Sequence, residues 1–459
     1  MASIVNRTNN NFLDIPAELG EFVRNDTYSL LIKGRSGTGK TTLSLSILRS
    51  LKARNNFFYI STRSSPKQLF EHYPWLRKFT KQSNNNADNE EIGQNISSFE
   101  DARLDEPESL FERVTNQLMD VKNPIIIIDS WDSVASLMDR EARLNNERVL
   151  QTWRERAKAK LIFTSEDSTE SSLESVVDGV LELNYEFVDE TRIRNLFLKK
   201  LRGVPIKRSI YYFTLKDRYV QCFGGYDPKE FGRINTKDKI SNMVNLPKHV
   251  LQTGYQDLDN HIGLTLPHNG LITVEKDSIL SNDIILLFVN DLLNNCFRRH
   301  YSLLLDTTLK NEITQKYKFN IQNNSKLIEI EKHATSDKYP QNETKHKDNY
   351  YKYLSKLISG FPENEKLITL IQTKSLDNII STQSDIEEFC EFVRKKFELS
   401  ILIQNSNENL EKYFAESDIY LRFILKRGTV FLKCSVPSSA LFGINIVSSV
   451  PHIELNHVL

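Results

Sequence analysis

The chain has 459 residues, 39% hydrophobic and 26% charged, and its formal net charge is zero because 60 basic side chains balance 60 acidic ones. This composition excludes a disordered chain and a crosslinked mini-fold, and it lacks the basic excess of a nucleic-acid binder, although a local basic patch stays possible. At about 150 residues per domain, two or three domains are expected. Four widely separated cysteines favour reduced thiols in a cytoplasmic protein. The longest apolar runs fall far short of the ~20 residues that span a bilayer, so no membrane partner is expected.

The first half predicts a parallel α/β sheet. A strand over Tyr28–Lys33 leads through a glycine loop to a helix over Thr42–Leu51. Polar stretches at 82–105 and 331–348 are predicted to be exposed loops. Further strands are expected, the last two as an antiparallel hairpin, over Asn56–Ser61, Pro124–Asp129, Lys160–Ser165, Gly179–Leu183, Asn195–Lys200 and Ser209–Leu215.

The second half repeats this order of elements. Gly270–Glu275 corresponds to the first strand, and Ile284–Leu293 corresponds to the helix after it. Three later strands have counterparts at Lys366–Ile371, Glu398–Ile403 and Glu416–Phe423. The repeat predicts tandem domains at 12–225 and 247–459, joined by a linker at 226–246.

Residues 34 to 41 read Gly-Arg-Ser-Gly-Thr-Gly-Lys-Thr, a full match to the P-loop pattern GxxxxGK(S/T) between a strand and a helix. Glycines let backbone N–H groups converge on phosphates, the lysine adds a positive charge at the β- and γ-phosphates, and the threonine hydroxyl ligates Mg²⁺. ATP and Mg²⁺ are therefore the expected ligands. The residues expected to bind the nucleotide are Gly34, Ser36, Gly37, Thr38, Gly39, Lys40, Thr41 and Thr42.

Asp129 ends a run of four isoleucines, and with Thr41 it is the expected Mg²⁺ partner. We expect it at the carboxyl end of a strand beside the P-loop strand, where open α/β sheets bind ligands. A helix N-cap, a role that Ser130 and Asp132 could also serve, is the other interpretation of Asp129, and both can hold together. Asp132 is predicted to be the capping residue of the helix that follows.

This P-loop with these strands resembles the RecA-superfamily ATPases, in particular the KaiC-like group. The resemblance implies tandem RecA-like domains with mostly parallel sheets. In that group two glutamates, one of which activates the attacking water, end the strand after the P-loop helix, but Arg63 and Ser64 stand there in this chain. A guanidinium does not accept a proton near neutral pH, so slow hydrolysis is expected. Other acids that could serve, without support from a motif, are Glu71, Glu166 and Asp167.

Residues 199–203 are similar to the group's Lys-x-Arg-Gly motif, and Asp178-Gly179 resembles its Asp-Gly element. The resemblance implies that Lys200 and Arg202 reach the nucleotide of a neighbouring subunit, as a catalytic pair supplied in trans. That reading requires self-association. The alternative, a solvated basic end of a strand, is equally open.

Ile15-Pro-Ala-Glu-Leu19, Ser61-Thr-Arg63 and Phe70-Glu-His-Tyr-Pro-Trp75 resemble more narrowly the archaeal GvpD-type P-loop proteins, regulators named from gas-vesicle gene clusters. This resemblance covers residues 12 to 223. The second domain resembles the KaiC-like fold but is degenerate: Lys276 to Asp283 replaces the P-loop, and Gln372 replaces Asp129.

The leading hypothesis is an ATP-binding regulatory protein that acts on a protein partner. A recombinase-like DNA-dependent ATPase is the second, because Lys199, Lys200, Arg202, Lys207 and Arg208 form a basic cluster. A scaffold that uses ATP only to hold its fold is the third.

Overall fold

The computed structural model describes residues 14–52, 56–77, 97–103, 106–118, 121, 123–166, 172–188, 190–228, 251–263, 266–297, 301–306, 309, 328–330, 343–377, 379–405, 412–447 and 452–458. The chain divides into two compact units, Met1–Phe223 with the last two residues, and Gly224–His457. The linker expected at 226–246 lies outside the described residues from position 229 onward.

The first unit is a nine-stranded sheet in which β1 to β6 run parallel and β7 to β9 are added antiparallel. Its strands are β1 Tyr28–Gly34, β2 Phe57–Ser61, β3 Ser97–Asp101, β4 Ile125–Asp129, β5 Lys160–Ser165, β6 Gly179–Val188, β7 Thr191–Leu201, β8 Ile210–Thr214 and β9 Gln221–Cys222. Its α-helices are α1 Ala17–Phe22, α2 Lys40–Ser50, α3 Pro66–His72, α4 Pro107–Leu118, α5 Trp131–Ala135, α6 Arg140–Arg156 and α7 Ser172–Val176.

The second unit has the same plan. Its strands are β10 Gly270–Lys276, β11 Ser302–Asp306, β12 Ile328–Ile330, β13 Leu367–Gln372, β14 Leu399–Asn405, β15 Ile419–Lys426, β16 Thr429–Val436, β17 Ala440–Val447 and β18 His452–His457. Its α-helices are α8 Gln256–Ile262, α9 Asn282–Phe297, α10 Glu343–Ile358 and α11 Gln383–Lys396. Short 3₁₀ turns occur at Lys216–Arg218 in the first unit and at Thr373–Ser375 in the second.

The two sheets have equivalent strand orders. The first runs β3-β2-β4-β5-β1-β6-β7-β8-β9, and the second runs β12-β11-β13-β14-β10-β15-β16-β17-β18. Each strand therefore has a counterpart in the other unit, and the tandem α/β fold expected from the sequence is confirmed. The expected neighbourhood of Asp129 is wrong, however, because β5 lies between the P-loop strand β1 and the Asp129 strand β4.

Two elements lie in stretches that the sequence predicted to be loops. Strand β3 falls within 82–105, where Phe99 packs on Phe57 and Tyr59 and pairs the strand with β2. Helix α10 begins at Glu343, inside the stretch 331–348. In both places polar composition hid an element that is stabilised by contacts with segments distant in sequence.

The parallel strands are apolar throughout because helices cover both faces of the sheet. Alternate residues of β4 belong to two separate cores: Ile125 and Ile127 pack in one cluster, and Ile126 and Ile128 pack in the other. This alternation keeps β4 buried along its length, so only its carboxyl end reaches the edge where Asp129 lies. In the part of the chain that the structure describes, no helix is long and apolar enough to cross a membrane.

Candidate functional site

The P-loop connects the carboxyl end of β1 to the first turn of α2. At Gly34 the backbone passes so close to β6 that an added Cβ would lie 2.6 Å from the Leu183 carbonyl oxygen, so the position requires glycine. Gly39, with φ +106°, precedes α2 in a left-handed conformation. The loop is therefore folded around its glycines, and the amino end of α2 faces the same space.

Lys40 is buried and turns back over the loop that it follows. Its Nζ donates to the Gly34 carbonyl oxygen at 2.6 Å and to the Arg35 carbonyl oxygen at 3.1 Å. Burial lowers the pKa of the Lys40 ammonium, while the carboxylates of Glu166 and Asp129 oppose that shift. The loop thus holds a desolvated positive charge at its centre, which is where the P-loop pattern requires one.

The other predicted P-loop residues surround this charge. Thr38 is buried and its hydroxyl donates to the Arg35 carbonyl oxygen at 2.8 Å, which tightens the turn. The Thr42 hydroxyl lies 2.9 Å from the Tyr73 hydroxyl. Ser36 and Gly37 form the exposed tip.

The structure brings Thr41 and Asp129 together, although β1, the strand before Thr41, is not a neighbour of the Asp129 strand β4. The Thr41 hydroxyl donates to Asp129 Oδ2 at 2.6 Å. Tyr59 donates to the same oxygen at 2.6 Å, and Thr164 donates to Oδ1 at 2.5 Å. Three hydroxyl groups from α2, β2 and β5 therefore fix the orientation of one buried carboxylate.

The residues around Asp129 also decide how the next helix begins. Ser130, not Asp129, is the N-cap residue of α5. Asp132 was expected to cap this helix, and that expectation is wrong: its carboxylate accepts the Ser165 hydroxyl at 2.9 Å and the Glu166 backbone N–H at 2.5 Å. Asp132 therefore ties α5 to the end of β5.

With this geometry in place, comparisons with known proteins identify the domain. Residues 20–199 match the family model for the GvpD gas vesicle protein, P-loop domain. The first unit contains a GvpD-type P-loop domain. Two relatives from Halobacterium salinarum are Protein GvpD2, 26% identical over 281 residues, and Protein GvpD1, 29% identical over 293 residues. Each match covers 58% of this chain, and 56% and 51% of those two proteins, so the chain spans about half the length of the curated relatives that it matches.

In this GvpD-type domain Arg63 and Glu166 follow the carboxyl ends of β2 and β5, at the same end of the parallel strands as the P-loop. Arg63 lies two residues beyond β2, and its Nη1 is 2.5 Å from Glu166 Oε1. The same carboxylate oxygen is 3.6 Å from Lys40 Nζ. The hydrogen bond from Arg63 and the charge of Lys40 lower the pKa of Glu166. Of the other acids considered from the sequence, Glu71 is exposed on α3, and Asp167 lies outside the described residues.

Lys200 and Arg202 lie at the end of the strands opposite the P-loop. Leu201, between them, pairs with Gly179 at the start of β6, whereas the P-loop follows the far end of β1. Lys200 Nζ donates to the Val177 carbonyl oxygen at 2.6 Å, and Arg202 Nη1 donates to Asp178 Oδ1 at 2.9 Å. By this register Leu201 lies level with Leu30, four residues before Gly34, which is roughly 13 Å along the strands at ~3.3 Å per residue, and two strand spacings of about 4.8 Å separate β7 from β1.

Asp178 belongs to a structural clamp that occurs in both units. Its Oδ2 accepts the Ser29 backbone N–H at 3.0 Å and an Arg154 guanidinium N–H at 2.8 Å. In the second unit Asp418 accepts the Leu271 backbone N–H at 2.8 Å and Arg394 at 2.6 Å. The Asp-Gly element therefore anchors the beginning of the central strand.

Sequence reasoning missed Arg192, which approaches the P-loop within the same chain. Its Nη2 donates to the Gly37 carbonyl oxygen at 3.2 Å, and its guanidinium lies 4.1 Å from the centre of the Tyr185 ring. A cavity of about 320 Å³ adjoins this contact, lined by Gly34 and Tyr185 among others. No motif marks Arg192, because the antiparallel β6–β7 hairpin alone brings it to this edge.

The second unit keeps the length of the loop but not its chemistry. Five residues separate strand from helix in both units, 35–39 after β1 and 277–281 after β10. Lys276 occupies the Gly34 position, and its buried Nζ donates to the Leu280 carbonyl oxygen at 2.9 Å. The Ser281 backbone N–H, which stands where Gly39 does, donates to the Tyr226 hydroxyl. Side chains from outside residues 277–281, Lys276 and Tyr226, therefore form hydrogen bonds with the backbone of this loop.

Proposed function

We propose that the first unit binds Mg·ATP at residues 34–42 and that the chain is a nucleotide-dependent regulatory protein with slow or partner-stimulated hydrolysis. The observation that carries the proposal is the folded P-loop, in which buried Lys40 sits over the Gly34 carbonyl oxygen and Thr41 contacts Asp129. The GvpD-type domain match supports it.

The side-chain oxygens of Thr41 and Asp129 are suitable ligands for Mg²⁺. A hydroxyl and a carboxylate are hard oxygen ligands, and Mg²⁺ in nucleotide sites takes few protein ligands and keeps phosphates and water. When bound, the ion would neutralise phosphate charge. In this chain Thr41 would offer its hydroxyl, Tyr59 and Thr164 would keep Asp129 oriented, and Lys40 would hold the phosphates.

Slow hydrolysis follows from the charges at the ends of β2 and β5. Arg63 stands where a water-activating glutamate is expected, and a guanidinium does not act as a base. Its partner Glu166 has a lowered pKa, which makes this carboxylate a weaker base. Asp129 is occupied by three hydroxyl donors. The described acids near Lys40 are therefore poorly suited to accept a proton from water.

Self-association is a second part of the proposal. Lys200 and Arg202 are too far from their own P-loop to touch a nucleotide there, so a charge-stabilising role would have to be exerted on another subunit. Arg202 is 64% exposed, which leaves it accessible to a second copy. A protein partner that receives the signal fits the regulatory hypothesis.

DNA-dependent ATPase activity is the weaker alternative. Much of the basic cluster is neutralised within the chain: Lys199 contacts Glu174 at 2.9 Å, and Arg202 contacts Asp178 at 2.9 Å. A nucleic-acid strand would have to compete with those carboxylates. Single-stranded DNA that raises ATP turnover, with binding that weakens steeply with salt, would favour this alternative.

The decisive experiment compares Lys40→Ala with Asn282→Ala by isothermal titration calorimetry with Mg·ADP and a non-hydrolysable Mg·ATP analogue. Asn282 is the matched control, because it begins α9 as Lys40 begins α2. Losing a buried charged donor should weaken affinity about tenfold to a hundredfold in Lys40→Ala, and Asn282→Ala should bind as the unaltered chain does. Unchanged affinity in Lys40→Ala would refute the site assignment. Nucleotide-independent oligomer size and partner binding would instead favour the scaffold hypothesis.

A further inference from the structure

Three charged side chains meet beside the P-loop, each from the end of a different element. Lys40 begins α2, Arg63 follows β2, and Glu166 follows β5. Glu166 Oε1 lies between the two cations, 2.5 Å from Arg63 Nη1 and 3.6 Å from Lys40 Nζ. One carboxylate oxygen of Glu166 therefore forms ion pairs with two positively charged groups.

The backbone under this carboxylate is fixed, but the side chains above it can move. Asp132 accepts the Glu166 backbone N–H, which holds the chain at the end of β5. The side chains of Glu166 and Arg63 are 32% and 48% exposed, whereas that of Lys40 is 8% exposed. Glu166 and Arg63 can therefore change rotamer at the surface while Lys40 stays in the loop.

The position of Glu166 conflicts with that of a terminal phosphate. The P-loop lysine contacts the β- and γ-phosphates, and the Glu166 carboxylate stands 3.6 Å from that lysine on the side away from the loop. Two anions so close repel each other. A guanidinium, in contrast, matches phosphate oxygens with two parallel N–H donors.

We propose that Arg63 binds the terminal phosphate of a nucleoside triphosphate and that Glu166 is its counterion when no nucleotide is bound. The incoming γ-phosphate takes the place of the Glu166 carboxylate between Lys40 and Arg63. A diphosphate does not extend that far and leaves the Arg63–Glu166 pair intact. The pair makes the site selective for triphosphate over diphosphate, and this inference rests on the proposed function because it requires a nucleotide in the P-loop.

The test measures affinity for Mg·ADP and for a non-hydrolysable Mg·ATP analogue by calorimetry in Arg63→Gln, Glu166→Gln and Arg103→Gln. Arg103 is a matched control, because it follows β3 by two residues as Arg63 follows β2, and it pairs with Asp101 at 2.7 Å. Arg63→Gln should weaken triphosphate binding about tenfold to a hundredfold and leave diphosphate binding within about twofold. Glu166→Gln should tighten triphosphate binding, and Arg103→Gln should change neither affinity.

Equal losses for both nucleotides in Arg63→Gln, no loss in that variant, or weaker triphosphate binding in Glu166→Gln would overturn the inference. Arg63→Lys provides a second test. Lysine keeps the positive charge but lacks the paired N–H donors of a guanidinium, so this variant should bind the triphosphate more tightly than Arg63→Gln and more weakly than the unaltered chain. Failure of the proposed function looks different, since the unaltered chain would then bind neither nucleotide, or Lys40→Ala would bind both normally. Unchanged thermal unfolding, followed by fluorescence, establishes that each variant is folded.

Discussion

The hydrogen bond from Tyr59 to Asp129 offers a direct measurement of how strongly the site is held. Tyr59 is fully buried, and its hydroxyl lies 2.6 Å from Asp129 Oδ2. Burial and the adjacent carboxylate raise the pKa of Tyr59 well above its ordinary value, so this hydroxyl stays protonated as a donor. Tyr59→Phe removes this donor and keeps the ring, while Thr41 and Thr164 still contact the carboxylate.

The expected loss follows from the charge of the acceptor. A hydrogen bond to a charged group contributes about 1.5–3 kcal/mol, and the retained ring leaves no cavity. Tyr59→Phe should therefore lower the free energy of unfolding of the first unit by about 2 kcal/mol. With a urea dependence of about 2 kcal/mol per molar, the unfolding midpoint should fall by about 1 M.

Tyr28→Phe is the matched control. Tyr28 is also buried in the sheet of the first unit, but its hydroxyl has no hydrogen-bond partner among the residues that the structure describes. Removing a buried and unsatisfied hydroxyl relieves a desolvation cost. The free energy of unfolding should stay the same or rise by up to about 1 kcal/mol in this variant.

Tryptophan fluorescence isolates the relevant transition. The three tryptophans of the chain, Trp75, Trp131 and Trp153, all lie in the first unit, so their emission follows that unit even if the second unfolds separately. If Tyr59→Phe showed no loss, or if both variants lost the same stability, the hydroxyl network around Asp129 would not stabilise the site.

Three further predictions concern other parts of the chain. Calorimetry with Mg·ATP should give one nucleotide per chain, since Asn282 replaces the P-loop lysine in the second unit, and a second site would contradict this. Gly34→Ala should destabilise the first unit by about 1–3 kcal/mol because its Cβ would meet a backbone oxygen of β6, whereas Gly37→Ala, in open space at φ +75°, should cost about 1 kcal/mol; equal fluorescence midpoints would refute the close approach. The hydrogen bond from Lys347 holds the pKa of Asp385 below its ordinary value, so the folded chain binds fewer protons and this stabilisation, full at neutral pH, should fade as pH falls below about 4. Asp385→Asn should remove that pH dependence from the circular-dichroism unfolding curves, and a variant as pH-sensitive as the unaltered chain would count against it.

Local patterns in the sequence predicted the elements that carry the site. The run Tyr28–Lys33 became β1, one residue longer at Gly34, and the P-loop pattern predicted the loop between this strand and α2. These features are set by neighbours in the chain: an apolar run, glycines at fixed spacing and an apolar-periodic helix. They could be predicted because no distant contact decides them.

Features set by distant contacts could not be predicted. Arg63 and Glu166 are 103 residues apart, and only the sheet order brings the ends of β2 and β5 beside Lys40. A hint was present, since a basic residue replaced an expected acid after β2 while an acid followed β5. Asp132 was assigned to a local cap because its contact with the end of β5 is invisible to local pattern.

The equal loop lengths of the two units make the second one a ready host for engineering. Residues 277–281 and 35–39 form loops of the same length. A P-loop sequence could therefore be introduced into the second unit by substitutions alone, without inserting or deleting residues. The Asp418–Arg394 clamp already anchors the strand that such a cradle needs. The chain thus carries a P-loop pattern in its first unit and a loop of equal length without that pattern in its second, and replacing residues 276–283 by the sequence of residues 34–41 would test whether those eight residues are enough to create a nucleotide site.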